Sequence, residues 1–413
     1  MRLPFVRAAW LAALLLLAGC ATSPPHVAPT PSPLLLISID GLRADMIGTG
    51  ALPTVDALAK GGVHAEWMNP SYPTLTFPNH YTLVTGLRPD RHGIVHNNFR
   101  DPQLGLFMSK EASAKDGRFW LGEPIWSGAE KAGIPSATMF WPGSESEIAG
   151  QRPRYWRKFD RNLSPHERVQ QVLAWLDLPI TERPRLITLY MEQFDVAAHA
   201  TSTFSPESMA ALRAIDDALA ALLAGLETRG LRERSNVIVL SDHGMSDVRA
   251  EDVRYLDDRL DPSLYDVSWW GQITGVTPKA GTTARVEAAL LGRHDHYACW
   301  RKTEMPAQWK FGNSPRIPPI VCQADVDWRV MLRRHPAQQT VKAEHGFVPE
   351  DAQMRAMFVA TGPAFHDGTA LPAFDNVDVY PLLAHLLGVT PAPNDGRLDT
   401  FIPVLEPDAA YKH

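Results

Sequence analysis

The aspartate and histidine residues of this 413-residue chain include four separated groups that could bind metal ions. Asp195 and His199 stand four residues apart, so a single helical turn would place both side chains on one face. An adjacent carboxylate and imidazole, a lone aspartate, and a histidine directly before a glycine supply further donors. These further donors are Asp242 with His243, Asp40, and His345.

Carboxylate and imidazole donors in these numbers favour a pair of zinc sites. Zinc accepts nitrogen and oxygen ligands, and a catalytic zinc keeps a coordination position open for water or substrate. Three aspartates and three histidines divide evenly into two sites of three ligands each. We therefore expect two Zn²⁺ ions, with Mn²⁺ or another divalent ion as the alternative.

Thr76 is the candidate nucleophile. Pro78 suits the first turn of a helix that continues through Thr85, which puts Thr76 at the N-terminus of that helix. Backbone N–H groups and the helix dipole favour an anionic phosphate there, and a bound metal would lower the pKa of the hydroxyl. Thr74 is the competing hydroxyl, and the structural alternative is that Thr76 only caps the helix.

Short apolar segments that end near these polar residues predict the elements that hold them. Because helical patterns alternate with the segments, we predict an α/β fold whose mostly parallel central sheet has helices on both faces. Ligands of such sheets bind beyond the carboxyl ends of the strands, where the candidate residues fall. The predicted strands are Leu34–Ile39, Leu186–Met191, 237–240 and 357–360.

The clearest predicted helix begins after Ser205. This serine is the expected N-cap, and Pro206 takes the first helical position. Apolar residues then recur at helical spacing from Met209 to Leu226, and Gly230 is expected to end the helix.

Residues from about 249 to 343 are predicted to form a long insertion in the catalytic domain. The segment is irregular and rich in proline and tryptophan, so no elements are assigned to it. Cys299 and Cys322 lie within this segment, and they are the two cysteines that remain if Cys20 carries a lipid. In an oxidising compartment this remainder favours one disulfide, with two buried free thiols as the alternative.

The N-terminus resembles a bacterial lipoprotein leader. Residues 1–20 combine a positive start, an apolar run too short to span a bilayer, and a Leu-Ala-Gly-Cys sequence that ends at Cys20. We expect lipidation of Cys20, a proline-rich tether over 21–33, and a single catalytic domain over 34–408. Ala21 favours an outer-membrane anchor facing the periplasm of a Gram-negative bacterium, and the alternative is a plain cleaved signal.

Composition limits the partners of this chain. A formal net charge of -6 without clustered lysine and arginine argues against binding of duplex nucleic acid. A phosphate substrate would therefore be held by metal rather than by a basic surface. The expected partners are a small-molecule phosphate ester and, through the lipid anchor, a membrane.

Several short motifs occur in order along nearly the whole chain after Leu34. They are Thr76-Phe77-Pro78-Asn79-His80, Leu83-Val84-Thr85-Gly86, His92-Gly93-Ile94, Gly122-Glu123-Pro124-Ile125-Trp126, Phe140-Trp141-Pro142-Gly143-Ser144, Ser241-Asp242-His243-Gly244-Met245 and Pro391-Ala392-Pro393-Asn394. Together they resemble the bacterial nucleotide pyrophosphatase/phosphodiesterase family (type I phosphodiesterases). That family belongs to the alkaline phosphatase superfamily, so the resemblance implies an alkaline-phosphatase-like fold.

The resemblance also implies a role for each matching residue. Thr76 matches the nucleophile, and Asn97 matches the residue that hydrogen-bonds a phosphate oxygen. Phe77 and Phe159 fall where the family stacks a base or packs a substrate group. The metal beside the nucleophile is matched by Asp40, Asp242 and His243, and the metal that activates water by Asp195, His199 and His345.

The activity implied is hydrolysis of phosphodiester or pyrophosphate bonds through a phosphothreonine intermediate. Nucleoside triphosphates, dinucleotides or nucleotide sugars would yield nucleoside 5′-monophosphates. The alternatives are a phosphomonoesterase or a lysophospholipid-type phosphodiesterase on the same scaffold. A more remote alternative is a lipoprotein that binds zinc without catalysis.

Other histidines are interpreted as structural. The cluster His294-Asp295-His296 lies in the insertion, away from any predicted strand end. His64, His80 and His92 have no partner at the spacing of a ligand pair.

Overall fold

Strands and helices alternate along most of the chain in the computed structural model, which describes residues 32–334 and 341–407. The strands are β1 Leu34–Ile39, β2 Val63–Ala65, β3 Met68–Asn69, β4 Asn98–Asp101, β5 Gly105–Met108, β6 Ser136–Met139, β7 Tyr155–Trp156, β8 Leu186–Met191, β9 Asn236–Leu240, β10 Ser246–Asp247, β11 Val253–Tyr255, β12 Tyr265–Trp269, β13 Ile273–Pro278, β14 Gly292–His294, β15 Tyr297–Arg301, β16 Ile320–Ala324, β17 Arg329–Met331, β18 Ala343–Glu344, β19 Phe358–Thr361, β20 Thr369–Leu371 and β21 Phe374–Asp375. The α-helices are α1 Pro53–Gly61, α2 Thr76–Thr85, α3 Pro89–His92, α4 Ile125–Lys131, α5 Pro165–Leu176, α6 Gln193–Thr201, α7 Pro206–Thr228, α8 Thr283–Leu290 and α9 Val379–Leu387.

An eight-stranded sheet forms the centre, in the order β20-β2-β19-β9-β1-β8-β6-β7. Strand β1 lies between β8 and β9 and runs parallel to both. The predicted strand over 357–360 corresponds to β19, which is antiparallel to both of its neighbours, β9 and β2. The expectation of a mostly parallel sheet is therefore confirmed, with β19 as the strand of opposite direction.

Alternating side chains of β1 enter two different cores. Leu34 and Leu36 pack in the core that contains residues of α2, α4 and α9. Leu35 and Ile37 pack in the other core, with residues of α1, α5 and α7. A strand that is buried on both faces needs an unbroken apolar sequence, which explains why β1 reads as one continuous hydrophobic run. The predicted α/β architecture with helices on both faces is confirmed.

The long helix α7 has the ends that its sequence predicts. The Ser205 hydroxyl accepts a hydrogen bond from the backbone N–H of Ser208, 3.1 Å away, and Pro206 is the first helical residue. Gly230 follows the helix with a φ of 61°, a left-handed conformation that glycine adopts at low cost.

The insertion has a sheet and a core of its own, although its sequence looks irregular. Its antiparallel sheet has the strand order β12-β13-β16-β15-β14. Residues of this sheet and of α8 form a separate apolar cluster. Cys299 and Cys322 lie directly opposite each other in β15 and β16 and form the predicted disulfide.

Several predictions fall on parts of the chain without described structure. The signal peptide, Cys20 and the tether up to residue 31 lie outside the described residues, as does the predicted domain end at residue 408. Within the described ranges, no helix combines the length and the apolar character that crossing a bilayer requires.

Candidate metal centre and nucleophile

The predicted ligands come from loops and a helix at one end of the central sheet. Asp40 is the first residue after β1, and the backbone N–H of Asp40 still donates to the Met191 carbonyl of β8. Gly41 follows with a φ of 73°, and its N–H donates to Asp242 Oδ1, 3.2 Å away. Glycine adopts this left-handed φ at lower cost than other residues, so the turn that links the two aspartates depends on Gly41.

A short helix presents the second pair of ligands. Asp195 and His199 both lie on α6, which begins two residues after β8, so the predicted helical turn is present. The Nε2 atom of His199 lies 3.4 Å from Asp195 Oδ1. The Nε2 atom of His345, which directly follows β18, lies 3.6 Å from the same oxygen.

The six predicted ligands are brought together, and Asp195 is shared. Asp195, His199 and His345 form one group of donor atoms that all lie within 4.8 Å of one another. Asp40, Asp195 and His243 form a second such group. The family resemblance implies a role for Asp195 at one metal, and in this geometry its carboxylate belongs to both groups of donor atoms.

The remaining predicted ligand, Asp242, lies against the second group. Its Oδ2 atom is 3.0 Å from Nε2 of His243. Nε2 of His243 is also 3.5 Å from Asp40 Oδ1. Within the described residues, the two groups above are the ones whose donor atoms are close enough to hold a metal ion. The cluster His294-Asp295-His296 is not among them, as expected.

All three histidines have the same hydrogen-bond arrangement. Nδ1 of His199 lies 2.7 Å from the Ala343 carbonyl, and Nδ1 of His345 lies 2.9 Å from the Thr74 carbonyl. Nδ1 of His243 lies 2.9 Å from the Gly244 carbonyl. A carbonyl oxygen can only accept, so each Nδ1 carries a proton, and each Nε2 offers its lone pair to a metal when the ring is neutral.

Two buried carboxylate oxygens, Asp40 Oδ1 and Asp195 Oδ1, have no hydrogen-bond partner among the described residues. A third, Asp242 Oδ2, faces imidazole nitrogens, with Nε2 of His243 at 3.0 Å and Nδ1 of His80 at 3.1 Å. Buried polar atoms in folded proteins are almost always paired, because an unpaired one loses the hydration it had in water. These oxygens and the three free Nε2 atoms therefore fit a pair of divalent cations.

The electrostatics of the aspartates agree with that fit. Burial raises the pKa of Asp40, and the charges of Asp242 and Asp195 raise it further. Burial likewise raises the pKa of Asp195. Burial also disfavours ionised Asp242, but the charges of His243 and His80 outweigh burial and hold the pKa of Asp242 well below its ordinary value. Crowded carboxylates of this kind are stabilised when a cation binds among them.

The two candidate hydroxyls have different surroundings. Thr76 is the first residue of α2, and its Oγ1 lies 3.3 Å from Nε2 of His243. Thr74 is fully buried, donates to the Phe347 carbonyl and accepts from the Gly346 N–H. The Thr74 hydroxyl is thus used in holding the loop that carries His345. Thr76 is not the N-cap, because Leu75 takes that position.

Asn97 is oriented by the helix that carries Thr76. Its Oδ1 atom accepts a hydrogen bond of 2.9 Å from the backbone N–H of Phe77. This bond leaves the amide NH₂ of Asn97 as the free donor, which is the orientation that an oxyanion needs.

The two predicted aromatic substrate contacts pack against different rings. The Phe77 ring packs against Trp120, with ring centroids 6.0 Å apart. The Phe159 ring is 38% exposed and lies 6.3 Å from the ring of Tyr190. Glu145 accepts a hydrogen bond from the Phe159 N–H, 2.9 Å away.

Two residues beneath the metal ligands were missed by the sequence analysis. The Tyr190 hydroxyl donates to Asp40 Oδ2 over 2.5 Å. His80, expected to be only structural, has its Nδ1 3.1 Å from Asp242 Oδ2. His80 Nε2 lies 2.9 Å from the Ser38 hydroxyl. The nearness of His80 to Thr76 in the sequence was a usable signal, whereas Tyr190 is recognised only once β8 is paired with β1.

The insertion also contacts the centre. Gln323, in β16, accepts a hydrogen bond from the Tyr72 hydroxyl and donates to the Gly346 carbonyl, at 2.8 and 3.4 Å. The segment that precedes Thr76 and the loop that follows His345 are thereby joined through the insertion.

Comparison with known proteins shows the family of this chain. The family described as type I phosphodiesterase/nucleotide pyrophosphatase matches residues 34–348. A venom phosphodiesterase of Crotalus durissus collilineatus is 35% identical over 376 residues, covering 88% of this chain and 45% of its own length. An uncharacterised pyrophosphatase/phosphodiesterase of Schizosaccharomyces pombe is 34% identical over 389 residues, covering 90% of this chain and 80% of its own.

Solved structures show the same fold. Murine ectonucleotide pyrophosphatase/phosphodiesterase 5, an inactive variant in complex with AMP, superposes with a TM-score of 0.86 and 31% identity. The match covers 91% of this chain and 100% of that one. The alkaline-phosphatase-like fold expected from the sequence is confirmed. With the family match extending over most of its length, the chain belongs to the metal-dependent type I phosphodiesterase/nucleotide pyrophosphatase family.

Proposed function

We propose that this protein hydrolyses phosphodiester or pyrophosphate bonds of nucleotides and releases nucleoside 5′-monophosphates. The observation that carries the proposal is the position of Thr76 at the N-terminus of α2, with Oγ1 3.3 Å from Nε2 of a predicted metal ligand, His243. The AMP bound to the murine structure supports a nucleotide as the substrate class.

Zinc is the proposed metal, and Mn²⁺ is the alternative. Imidazole nitrogen together with carboxylate oxygen is the donor set that zinc prefers among the common divalent ions. When bound, the metal pair would supply Lewis-acid stabilisation of the phosphate and lower the pKa of the attacking hydroxyl and of water.

The residues of the chain account for the remaining steps. Thr76 Oγ1 gives up its proton to solvent and forms a bond to phosphorus, while the bond from phosphorus to the leaving alcohol or pyrophosphate breaks. The product is a phosphothreonine that still carries the nucleoside as an ester. Water then attacks this phosphorus, the bond to Thr76 Oγ1 breaks, the hydroxyl is reprotonated, and the nucleoside 5′-monophosphate is released. The NH₂ of Asn97 and the backbone N–H of Thr76 at the start of α2 are the donors proposed to stabilise the charge on the phosphoryl oxygens. Phe77 and Phe159 offer aromatic faces for a base.

The first test removes the hydroxyl. Thr76→Ala is expected to keep both metals and lose about 10³-fold or more in turnover, since no other group replaces the nucleophile. Thr76→Ser, which keeps a hydroxyl, is the matched control and should retain measurable turnover. Metal content and hydrolysis of bis-p-nitrophenyl phosphate are the readouts. Wild-type turnover by Thr76→Ala would exclude Thr76 as the nucleophile.

The same assay separates the alternative functions. A phosphodiesterase cleaves bis-p-nitrophenyl phosphate faster than p-nitrophenyl phosphate, and a phosphomonoesterase does the reverse. A lysophospholipid-type enzyme would release phosphocholine from lysophosphatidylcholine and leave nucleotides intact. Silence on all these substrates with two metals bound would favour a non-catalytic zinc-binding protein.

We further propose that the protein is exported and anchored by lipid on Cys20 to the outer membrane of a Gram-negative bacterium. The support is the sequence of residues 1–20 and the disulfide between Cys299 and Cys322, which suits an oxidising compartment. Cys20→Ser should abolish incorporation of radiolabelled palmitate and move the protein from the membrane fraction to the soluble one. Unchanged labelling would refute the anchor.

A further inference from the structure

We infer that Tyr190 is a positioning residue that orients Asp40 for metal binding and supports the aromatic face formed by Phe159. The inference deepens the proposed function and rests on it for the identity of the reaction. The claim that the Tyr190 phenol orients a metal-binding carboxylate can be tested by metal binding alone, without an activity assay.

The sheet brings the phenol and the carboxylate together. Tyr190 of β8 lies opposite Ser38 of β1 in the parallel register, and Asp40 follows Ser38 by two residues. Side chains two residues apart leave a strand on the same side, so the Tyr190 ring extends beneath Asp40. The resulting O–H···O bond to Asp40 Oδ2 measures 2.5 Å, and Tyr190 is buried, with 8% of its surface exposed.

This hydrogen bond gives the two carboxylate oxygens of Asp40 different roles. Oδ2 is held by the phenol, while Oδ1 has no hydrogen-bond partner among the described residues and lies 3.5 Å from Nε2 of His243. Without the phenol, rotation of the carboxylate would exchange its two oxygens freely. Loss of a group that hydrogen-bonds a metal ligand typically weakens metal affinity by about 10- to 100-fold.

The ring of Tyr190 has a second role. Its centroid lies 4.8 Å from that of His80 in an edge-to-face arrangement and 6.3 Å from that of Phe159. Nδ1 of His80 lies 2.9 Å from the Thr76 carbonyl and 3.1 Å from Asp242 Oδ2. The Tyr190 side chain therefore hydrogen-bonds one predicted metal-binding carboxylate, packs against the histidine beside a second, and lies against the proposed base-binding ring.

The test compares Tyr190→Phe with Tyr81→Phe. Tyr81 is a fully buried tyrosine on α2, but its hydroxyl has no hydrogen-bond partner within the described residues. Removal of the Tyr81 hydroxyl controls for the loss of one buried oxygen. A third variant with 3-fluorotyrosine at position 190 keeps the hydroxyl and should restore the wild-type behaviour.

The readouts are Zn²⁺ affinity by chelator competition, the visible spectrum of the Co²⁺-loaded protein, and kcat and KM for bis-p-nitrophenyl phosphate. Tyr190→Phe should weaken binding of one ion by about 10- to 100-fold, alter the Co²⁺ spectrum, and lower kcat more than it raises KM. Tyr81→Phe should match wild type.

Wild-type affinity and an unchanged Co²⁺ spectrum in Tyr190→Phe would overturn the inference. If Tyr190→Phe does not fold, the protein with 3-fluorotyrosine at position 190 provides the test. A Co²⁺ spectrum of that protein different from the wild-type spectrum would overturn the inference. Weakened metal binding in a protein whose wild type hydrolyses no phosphodiester would support the role of Tyr190 and refute the proposed function.

Discussion

The sharing of Asp195 between two donor groups predicts that a single substitution disturbs both metals. Asp195→Asn keeps the shape of the side chain and removes its charge. His199→Gln alters only the group formed by Asp195, His199 and His345. If the geometry governs binding, the first variant should lose both ions and the second should lose only one.

The size of the effect follows from charge and distance. A carboxylate about 4 Å from a dication contributes on the order of 8 kcal/mol at an effective dielectric constant of about 20. Burial of the carboxylate offsets several kcal/mol of this. A net loss on the order of 3 kcal/mol remains for each ion, which corresponds to roughly 10²-fold weaker binding.

The assay is metal content by mass spectrometry after dialysis against buffers of fixed free Zn²⁺. At a free concentration that saturates the wild type, Asp195→Asn should hold well under one ion and His199→Gln about one. Asp216→Asn is the matched control, because Asp216 is a buried aspartate that accepts hydrogen bonds from Thr54 and Val55 at the start of α1. It should hold as many ions as wild type. Retention of one tightly bound ion by Asp195→Asn would refute a shared ligand.

Two further predictions concern stability. Because the folded-state pKa of Asp40 is raised, its contribution to the stability of the metal-free protein is fully present below the ordinary pKa of 3.8 and is lost as the pH rises through the folded-state value. Metal-free Asp40→Asn should therefore lose less stability than wild type between pH 4 and pH 8 in urea unfolding, and parallel pH profiles would contradict this.

The Cys299–Cys322 disulfide closes a separation of 23 residues, for which the chain-entropy relation gives about 3.4 kcal/mol. The double alanine variant should lose about that much free energy of unfolding while binding both metals, and a change below about 1 kcal/mol would contradict the estimate.

The parts of the fold that the sequence predicts are those with a strong local pattern. β1 and β8 are continuous apolar runs because both of their faces are buried, and α7 has a cap, a period and a terminal glycine. Strands β12 and β14 of the insertion carry mixed burial patterns, such as one buried residue at each end of β12, so their sequences resemble loops. The direction of β19 depends on its partners rather than on its own residues.

The candidate site shows the same division. Residue types, together with the family resemblance, are enough to predict the six candidate ligands and Thr76. The sharing of Asp195 and the contacts of Tyr190 and His80 arise from strand register and loop packing, which no spacing along the chain expresses. The exclusion of Thr74 as the nucleophile likewise depends on a contact with residues some 270 positions away.

The carbonyl acceptors of the three imidazoles have a consequence for the order of assembly. His199 is held by Ala343, and His345 is held by Thr74, so each of these rings is fixed by a distant stretch of the polypeptide. The cations can therefore find a finished coordination shell only after the later part of the chain has closed onto the earlier part. Metal uptake would then come at the end of maturation, and a truncated product would gain little from the ions.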